Sequence, residues 1–255
     1  MTDADERVAV AAVERLAASC VAVLETSVVS TILHGSLTLG DFQRDRSDLD
    51  LLIVVEGPLT ESEAEALVAV VRDADPGPAR GIDLLVVTRA SAALPEASLE
   101  LQVGRGHGST ELEVGRRDAD VPDLWAELSM ARADGRALQG AEPREVIGDV
   151  PSAAVRVRGV HWLTRWLDLT DDEKNASFMV LTACRIWRFV AEGEHSSKSA
   201  AARWALERDP TLVAVEQALA RRLGTAHRSP DPHDVRRVLE TVLHQVETLS
   251  RETPT

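Results

Sequence analysis

"LHGSLTLGDFQRDRSDLDLLIVVEG", Leu33 to Gly57, sets Gly-Ser directly after one apolar run and opens the next with Asp-Leu-Asp. Two carboxylates at the start of a buried strand lose hydration and repel each other, so they call for a compensating partner. Residues two apart on a strand share a side, so Asp48 and Asp50 project together while Leu49 points into the core. A cation between them removes the repulsion. Mg²⁺ suits the position, because it takes hard oxygen ligands and is commonly shared between one or two protein carboxylates and substrate phosphates. At the exit of the preceding strand, Gly35 lets a phosphate approach the backbone, and Ser36 adds a hydroxyl to the main-chain N–H groups. A helix following there would contribute its N-terminal dipole.

Outward from this stretch, the apolar period separates the chain into two halves. "ERVAVAAVERLAASCVAVLE" has helical spacing, and "SVVSTILHG" has the β-branched content of a buried strand. "LDLLIVVEG" is a second strand, and Thr60 to Glu63 caps the helix "LTESEAEALVAVVRDAD". "ARGIDLLVVTR" is a third strand, and "VPDLWAELSMARADGRALQG" reads as one helix. Pro and Gly punctuate "AEPREVIGDVPSAAV", which puts a boundary around Asp149 to Ser152. Beyond it every segment carries helical spacing, several with Asp, Ser or Pro starts. The fold class expected is α+β: an α/β domain with a small mixed sheet over residues 1–150 and an all-α helical bundle over 151–255.

The charge balance narrows the partners. A formal net charge of -14 over 255 residues repels a phosphate backbone or an anionic membrane and attracts small cations. The N-terminus is acidic and no apolar run reaches membrane-spanning length, so a soluble cytoplasmic protein is expected. Cys20 and Cys184 both sit inside apolar helical patterns, which favours buried free thiols over a disulfide.

Asp83 opens the "DLLVV" run of the third strand as Asp48 and Asp50 open theirs, so three carboxylates would converge if the strands are neighbours. Asp-x-Asp alone is weak, since acids often sit at strand ends as solvated turn formers. Gly-Ser after a strand, a polar loop, Asp-Leu-Asp and a later strand-opening Asp together point to nucleotidyl transfer. A third acid there can ligate metal or take the proton of an attacking hydroxyl. His34 reads as a packing or loop residue, and most tryptophans as core.

"HGSLTLGDFQRDRSDLDLLIVV" resembles the active-site signature of the polymerase-β-type nucleotidyltransferase superfamily. More narrowly, the chain resembles the aminoglycoside (3'')(9) adenylyltransferases, the streptomycin and spectinomycin resistance enzymes. "RGIDLLVV" followed by "LELQVG", "GRALQGAEPREVIGDVP" and "VLTACRIWRFVAEGEHSSKSAAARWALER" extend the likeness through both halves. The resemblance implies a nucleotidyltransferase domain followed by a helical domain that clamps nucleotide and substrate. It assigns Gly35, Ser36 and Ser47 to the nucleotide phosphates, Asp48 and Asp50 to Mg²⁺, and Asp83 to the catalytic base. It also places Asp123 on the nucleotide side and gives Arg185 and Lys198 to the phosphates of ATP, the co-substrate.

Departures fall where the substrate is chosen. The family base is typically glutamate, one methylene longer than Asp83. Counting back from Arg185 puts Trp166 and Asp171 where the family holds its aminocyclitol, an aromatic wall and a carboxylate that suit an amino sugar. The same count puts Asn175 where streptomycin-modifying members have aspartate, and Gly106 falls where they have tryptophan. Both changes remove contacts to a bulky cationic drug. The resemblance therefore implies AMP transfer from ATP to a hydroxyl of a small aminocyclitol, spectinomycin before streptomycin. The enzyme is expected to act as a monomer, with no nucleic acid or membrane partner. A protein-directed adenylyltransferase of toxin or antitoxin type and a lapsed nucleotide-binding module are the competing readings.

Overall fold

Leu51, Leu52, Ile53, Val54 and Val55 are each 0% exposed, so both faces of this strand are covered and its apolar run has no polar alternation. In the computed structural model, described over residues 3–94, 98–106, 108–109, 111–116 and 124–252, contacts divide the chain into two units, Met1–Val150 and Pro151–Thr255.

The first unit begins with α1 (Asp3–Leu24), a 3₁₀ turn, β1 (Val28–His34) and β2 (Asp48–Val55). α2 (Glu61–Asp73) leads to β3 (Gly81–Thr88), then α3 (Arg89–Ala93), β4 (Leu101–Gly106) and β5 (Glu113–Arg116). α4 (Leu124–Asp134), β6 (Arg136–Gly140) and α5 (Pro143–Val146) complete it. The six strands form one mixed sheet in the order β5-β4-β3-β2-β1-β6. Among the described strands only β2 and β3 run parallel, and α2 supplies the crossover that a parallel pair requires. The Thr60 hydroxyl and the Glu63 carboxylate close a capping box at the start of α2, as their spacing leads one to expect.

Strand alternation sorts the side chains of the sheet. Leu49, Leu51, Ile53, Val55, Leu84 and Val86 pack with α1 and α2, against Val13, Leu16, Cys20, Leu67 and Val71. Ile32, Leu52, Val54, Leu85 and Val87 pack on the opposite side against Leu124, Leu128, Ala131, Val146 and Ile147. Asp48 and Asp50 share the parity of Leu52 and Val54, and Asp83 that of Leu85 and Val87, which puts all three acids on the second face.

One expectation needs correction here. "VPDLWAELSMARADGRALQG" is not a single helix: α4 ends at Asp134 and the remainder becomes β6, antiparallel to β1 with Ala137 opposite Ile32. Gly135 makes the change of course. Its N–H bonds to the Ala131 carbonyl at 2.9 Å, and a Cβ on it would stand 2.1 Å from the Ala131 oxygen and 2.8 Å from Ile32 Cγ2. β4 and β5 are additional to the strands read from the sequence. β5 has exposed and half-exposed residues throughout, so the sheet edge carries no strong apolar pattern.

The second unit is helical: α6 (Ser152–Trp166), α7 (Ala176–Glu192), α8 (Lys198–Arg208), α9 (Val213–Arg222) and α10 (Pro232–Glu252). Ser197 caps α8 by accepting a hydrogen bond from the Ala200 N–H, and Gly193 ends α7 in the left-handed region at φ 74°. Trp187 and Trp204 meet edge to face at 5.1 Å in the core of this unit. Cys20 and Cys184 are both buried and free, and burial pushes each thiol up to about 12. No helix among the described residues is long and apolar enough to cross a membrane.

Gly135→Ala forces the α4 to β6 turn and Ile32 apart. We expect a loss of roughly 2 kcal/mol of stability, read as a lowered denaturant midpoint by circular dichroism.

Candidate active site

Strand register creates the site. In the parallel pair Asp50 lies opposite Asp83 and Asp48 opposite Gly81, while β1 brings His34 opposite Asp50. On the far side Asp83 faces Gly104, and Gly104 faces Glu113 of β5. One row across the sheet therefore runs His34, Asp50, Asp83, Gly104, Glu113, with Asp48 two residues earlier on the same side as Asp50.

The backbone around Asp50 leaves no slack. Gly35 turns the chain out of β1 with φ 75°, and a Cβ there would lie 2.0 Å from Asp50 Oδ2. Glycine is required twice over, for the left-handed backbone and for the carboxylate resting against it. No helix follows: residues 35–40 are turns, held by the Leu39 N–H to the Gly35 carbonyl at 3.2 Å and the Asp41 N–H to the Ser36 carbonyl at 2.9 Å. An anion here would meet turn backbone and the Ser36 hydroxyl, without a helix dipole. Phe42, 0% exposed, anchors the connection to the core. Ser47 is committed to the same loop, its Oγ accepting from the Gln43 N–H at 2.9 Å.

Ser36 Oγ and Asp83 Oδ1 are among the buried polar atoms with no hydrogen-bond partner among the described residues. Unsatisfied buried oxygens are costly and mark places where a ligand completes the network. Asp83 is pushed up to about 6, first by burial and then by the charge of Asp48. A side-chain hydrogen bond from Gln102 opposes the shift, Glu113 adds to it, and Arg80 again opposes it. A carboxyl titrating close to neutrality is suited to exchange a proton with a hydroxyl.

Asp48 is held by Arg80, the residue before β3, whose Nη2 donates to Oδ2 at 2.5 Å and Nε to Oδ1 at 3.1 Å. Among the described residues no group of three or more His, Cys, Asp or Glu forms a metal cage. What the site offers is a carboxylate pair with a third acid beside it, all hard oxygen donors. That set suits a hydrated divalent ion completed by phosphates, and not a soft metal in an all-protein cage. His34 faces Glu127 of α4, with Nδ1 3.5 Å from Oε2, which gives the histidine a partner within the fold.

Sequence reading missed Arg80 and Glu113. Neither belongs to a motif, and each becomes visible only when strand pairing sets it beside an acid that was already suspected.

In the second unit Arg185 lies on α7, and Lys198 opens α8 with its Nζ 4.6 Å from the Phe178 ring centroid. His195 stacks on Phe189 at 4.7 Å, and burial followed by the charge of Arg185 lowers it to about 4. Trp166 stacks on Trp162 at 5.5 Å and meets Phe178 edge-on at 5.8 Å. It is 6% exposed against 45% for Phe178. The aromatic surface open to solvent beside it therefore belongs mainly to Phe178. Asp171 is exposed in the α6 to α7 connection, and Asn175 occupies the N-cap position of α7 without a side-chain cap bond, its Nδ2 donating to Asp172 Oδ2 at 2.7 Å. Gly106 ends β4 opposite Gly81. Asp123 lies outside the described residues.

Comparison with known proteins finds matches in both units. Residues 18–105 match the model of a nucleotidyltransferase domain, and residues 145–247 match that of the aminoglycoside adenylyltransferase C-terminal domain. A spectinomycin 9-adenylyltransferase of Staphylococcus aureus is 26% identical over 190 residues, 71% of this chain and 72% of that protein. One of Campylobacter jejuni is 24% identical over 204 residues, 75% and 77% of the two chains. The crystal structure of the spectinomycin adenyltransferase AAD(9) from Enterococcus faecialis, solved with ATP and spectinomycin, shares the fold. Its TM-score is 0.73 at 19% identity, covering 93% of this chain and 99% of that one.

The raised position of Asp83 has a consequence for stability. Its proton is held more tightly in the folded chain than in an ordinary aspartate, so the ionised carboxylate penalises folding in full above about pH 6. The penalty fades as pH falls through about 6 and is gone below the ordinary aspartate value of 3.8. Asp83→Asn should therefore stabilise the metal-free protein at pH 8, by on the order of 2 kcal/mol. The gain should shrink towards pH 4, as read from thermal midpoints of both proteins across that range.

Proposed function

We propose that the chain, matched by the models of a nucleotidyltransferase domain and of the aminoglycoside adenylyltransferase C-terminal domain, transfers AMP from Mg²⁺-bound ATP to a hydroxyl of an aminocyclitol antibiotic. Spectinomycin is the acceptor favoured over streptomycin. The observation that carries the reading is the Asp50 to Asp83 register of β2 and β3, which sets a metal-suited carboxylate pair beside a buried acid of raised pKa.

Asp48 and Asp50 would hold Mg²⁺, which when bound neutralises phosphate charge and polarises the α-phosphoryl group. Gly35 and Ser36 offer turn N–H groups and an unsatisfied hydroxyl to the phosphates. Asp83 takes the proton of the acceptor hydroxyl through its unpartnered Oδ1 as the oxygen attacks the α-phosphorus. The bond from that phosphorus to the bridging oxygen breaks, pyrophosphate leaves with the bond's electron pair, and the product is an O-adenylylated drug. Aspartate in place of glutamate shortens the reach to the hydroxyl, so the acceptor must sit closer to β3.

Arg185 and Lys198 act in this reading on the triphosphate, as cations on the helical unit. Trp166, with the more exposed Phe178 against it, Asp171 and Asn175 hold the acceptor in this reading, the open aromatic face for the ring coming mainly from Phe178 and the oxygens for the ammonium groups from Asp171 and Asn175. Asn175 carries no charge, and Gly106 supplies no aromatic platform. Both losses weigh more against the larger, guanidinium-bearing streptomycin than against spectinomycin. The buried free thiols Cys20 and Cys184 fit a reducing compartment, and we place the reaction in the cytoplasm.

Incubation of the purified chain with ATP, Mg²⁺ and single antibiotics tests this directly. Mass spectrometry should show an AMP adduct on spectinomycin and none on streptomycin. Asp48→Asn should lower the rate more than about a hundredfold with unchanged circular dichroism. Full activity in that variant would sink the metal assignment, and an adduct on streptomycin alone would reverse the substrate assignment.

A further inference from the structure

Arg80 is bonded to the acidic row although it matches no motif. Its guanidinium engages both oxygens of Asp48, the fork geometry that a divalent ion bound to the same carboxylate would have to displace. Asp50 and Asp83 add their charges to the attraction. The backbone behind it is fixed: the Arg80 N–H bonds to the Ser47 carbonyl at 2.8 Å. The next residue, Gly81, is equally confined, since a Cβ would lie 2.4 Å from the Arg105 oxygen and 3.1 Å from Asp48 Oδ1. The head group is not so confined, being 59% exposed. A fixed backbone under an exposed guanidinium is the arrangement of a displaceable partner.

We propose that Arg80 is a resident counter-ion of the carboxylate pair, which makes capture of the divalent ion by Asp48 and Asp50 conditional on the nucleotide. Arg80 is a positioning residue that acts through Asp48, and the inference rests on the metal-dependent reading above. Without ligand, three carboxylates in one small region repel, and the guanidinium relieves that repulsion while keeping Asp48 in place. A hydrated metal ion arriving alone must expel one cation to seat another, with no new partner for the guanidinium. When the ion arrives with a triphosphate, phosphate oxygens give the guanidinium a bidentate partner and the exchange becomes favourable. Metal and nucleotide then bind with positive coupling, each raising the affinity for the other by the same factor.

The test is Mn²⁺ binding followed by electron paramagnetic resonance on the full chain, with and without α,β-methylene ATP, which resists transfer. Without nucleotide, Arg80→Gln should bind Mn²⁺ about fivefold or more tightly than the unmodified protein. It should also gain less affinity when the analogue is added. Arg80→Lys keeps a point charge without the fork and should fall between the two; it carries the test if Arg80→Gln fails to fold by thermal melt. Equal Mn²⁺ affinity in the unmodified protein and the Arg80 variant, with Asp48→Asn defective, overturns the role of Arg80 and leaves the metal reading standing. Undiminished Mn²⁺ binding by Asp48→Asn overturns both.

Discussion

The parallel pairing of β2 with β3 is the constraint on which the first unit depends. It is the sheet's only parallel pair among the described strands, and its register decides which side chains are opposite neighbours. A slip of β3 by one residue would turn Asp83 to the face opposite Asp50 and carry Leu84 out of its core cluster. The apolar side chains further along therefore hold the carboxylates in alignment. Two faces covered by α1 with α2 and by α4 with α5 make that slip costly, and the three acids inherit the rigidity of a core they do not join.

Electrostatics sets the second requirement. Burial and mutual repulsion raise Asp83, while Arg80 and Gln102 pull in the other direction. Arg80 engages both oxygens of Asp48, whereas Asp83 is buried and holds its proton more tightly, so two acids of one type in neighbouring strands have different surroundings. The difference comes from who faces each carboxylate, and side-chain chemistry alone does not distinguish them.

The central strands were legible because their apolar runs are long and their opening acids conspicuous. Thr60 with Glu63 declared a helix start, and Pro and Gly around Asp149 to Ser152 declared a change in the chain. The β6 strand was not legible: Ala, Leu and Gln after Gly135 suit a helix locally, and only the tertiary pairing with β1 makes them a strand. Edge strands β4 and β5 lack a buried pattern strong enough to announce themselves. Of the candidate site, the acids and Gly35 followed from residue type and spacing. Arg80 and Glu113 depended on register, which a single sequence does not encode visibly. The chain's likeness to nucleotidyltransferases and to the aminoglycoside adenylyltransferase C-terminal domain was carried by motifs in both halves, and both are matched.

The stacked indoles of α6 to α8 make the molecule optically lopsided. The chain has five tryptophans and no tyrosine. Trp162, Trp166, Trp187 and Trp204 all belong to the helical unit, leaving Trp125 of α4 as the sole indole of the sheet unit. Intrinsic emission therefore reports chiefly on the helices that bear Arg185 and Lys198. The sheet unit reports through Trp125 alone, so a fluorescence melt of this protein weighs the helical unit above the sheet.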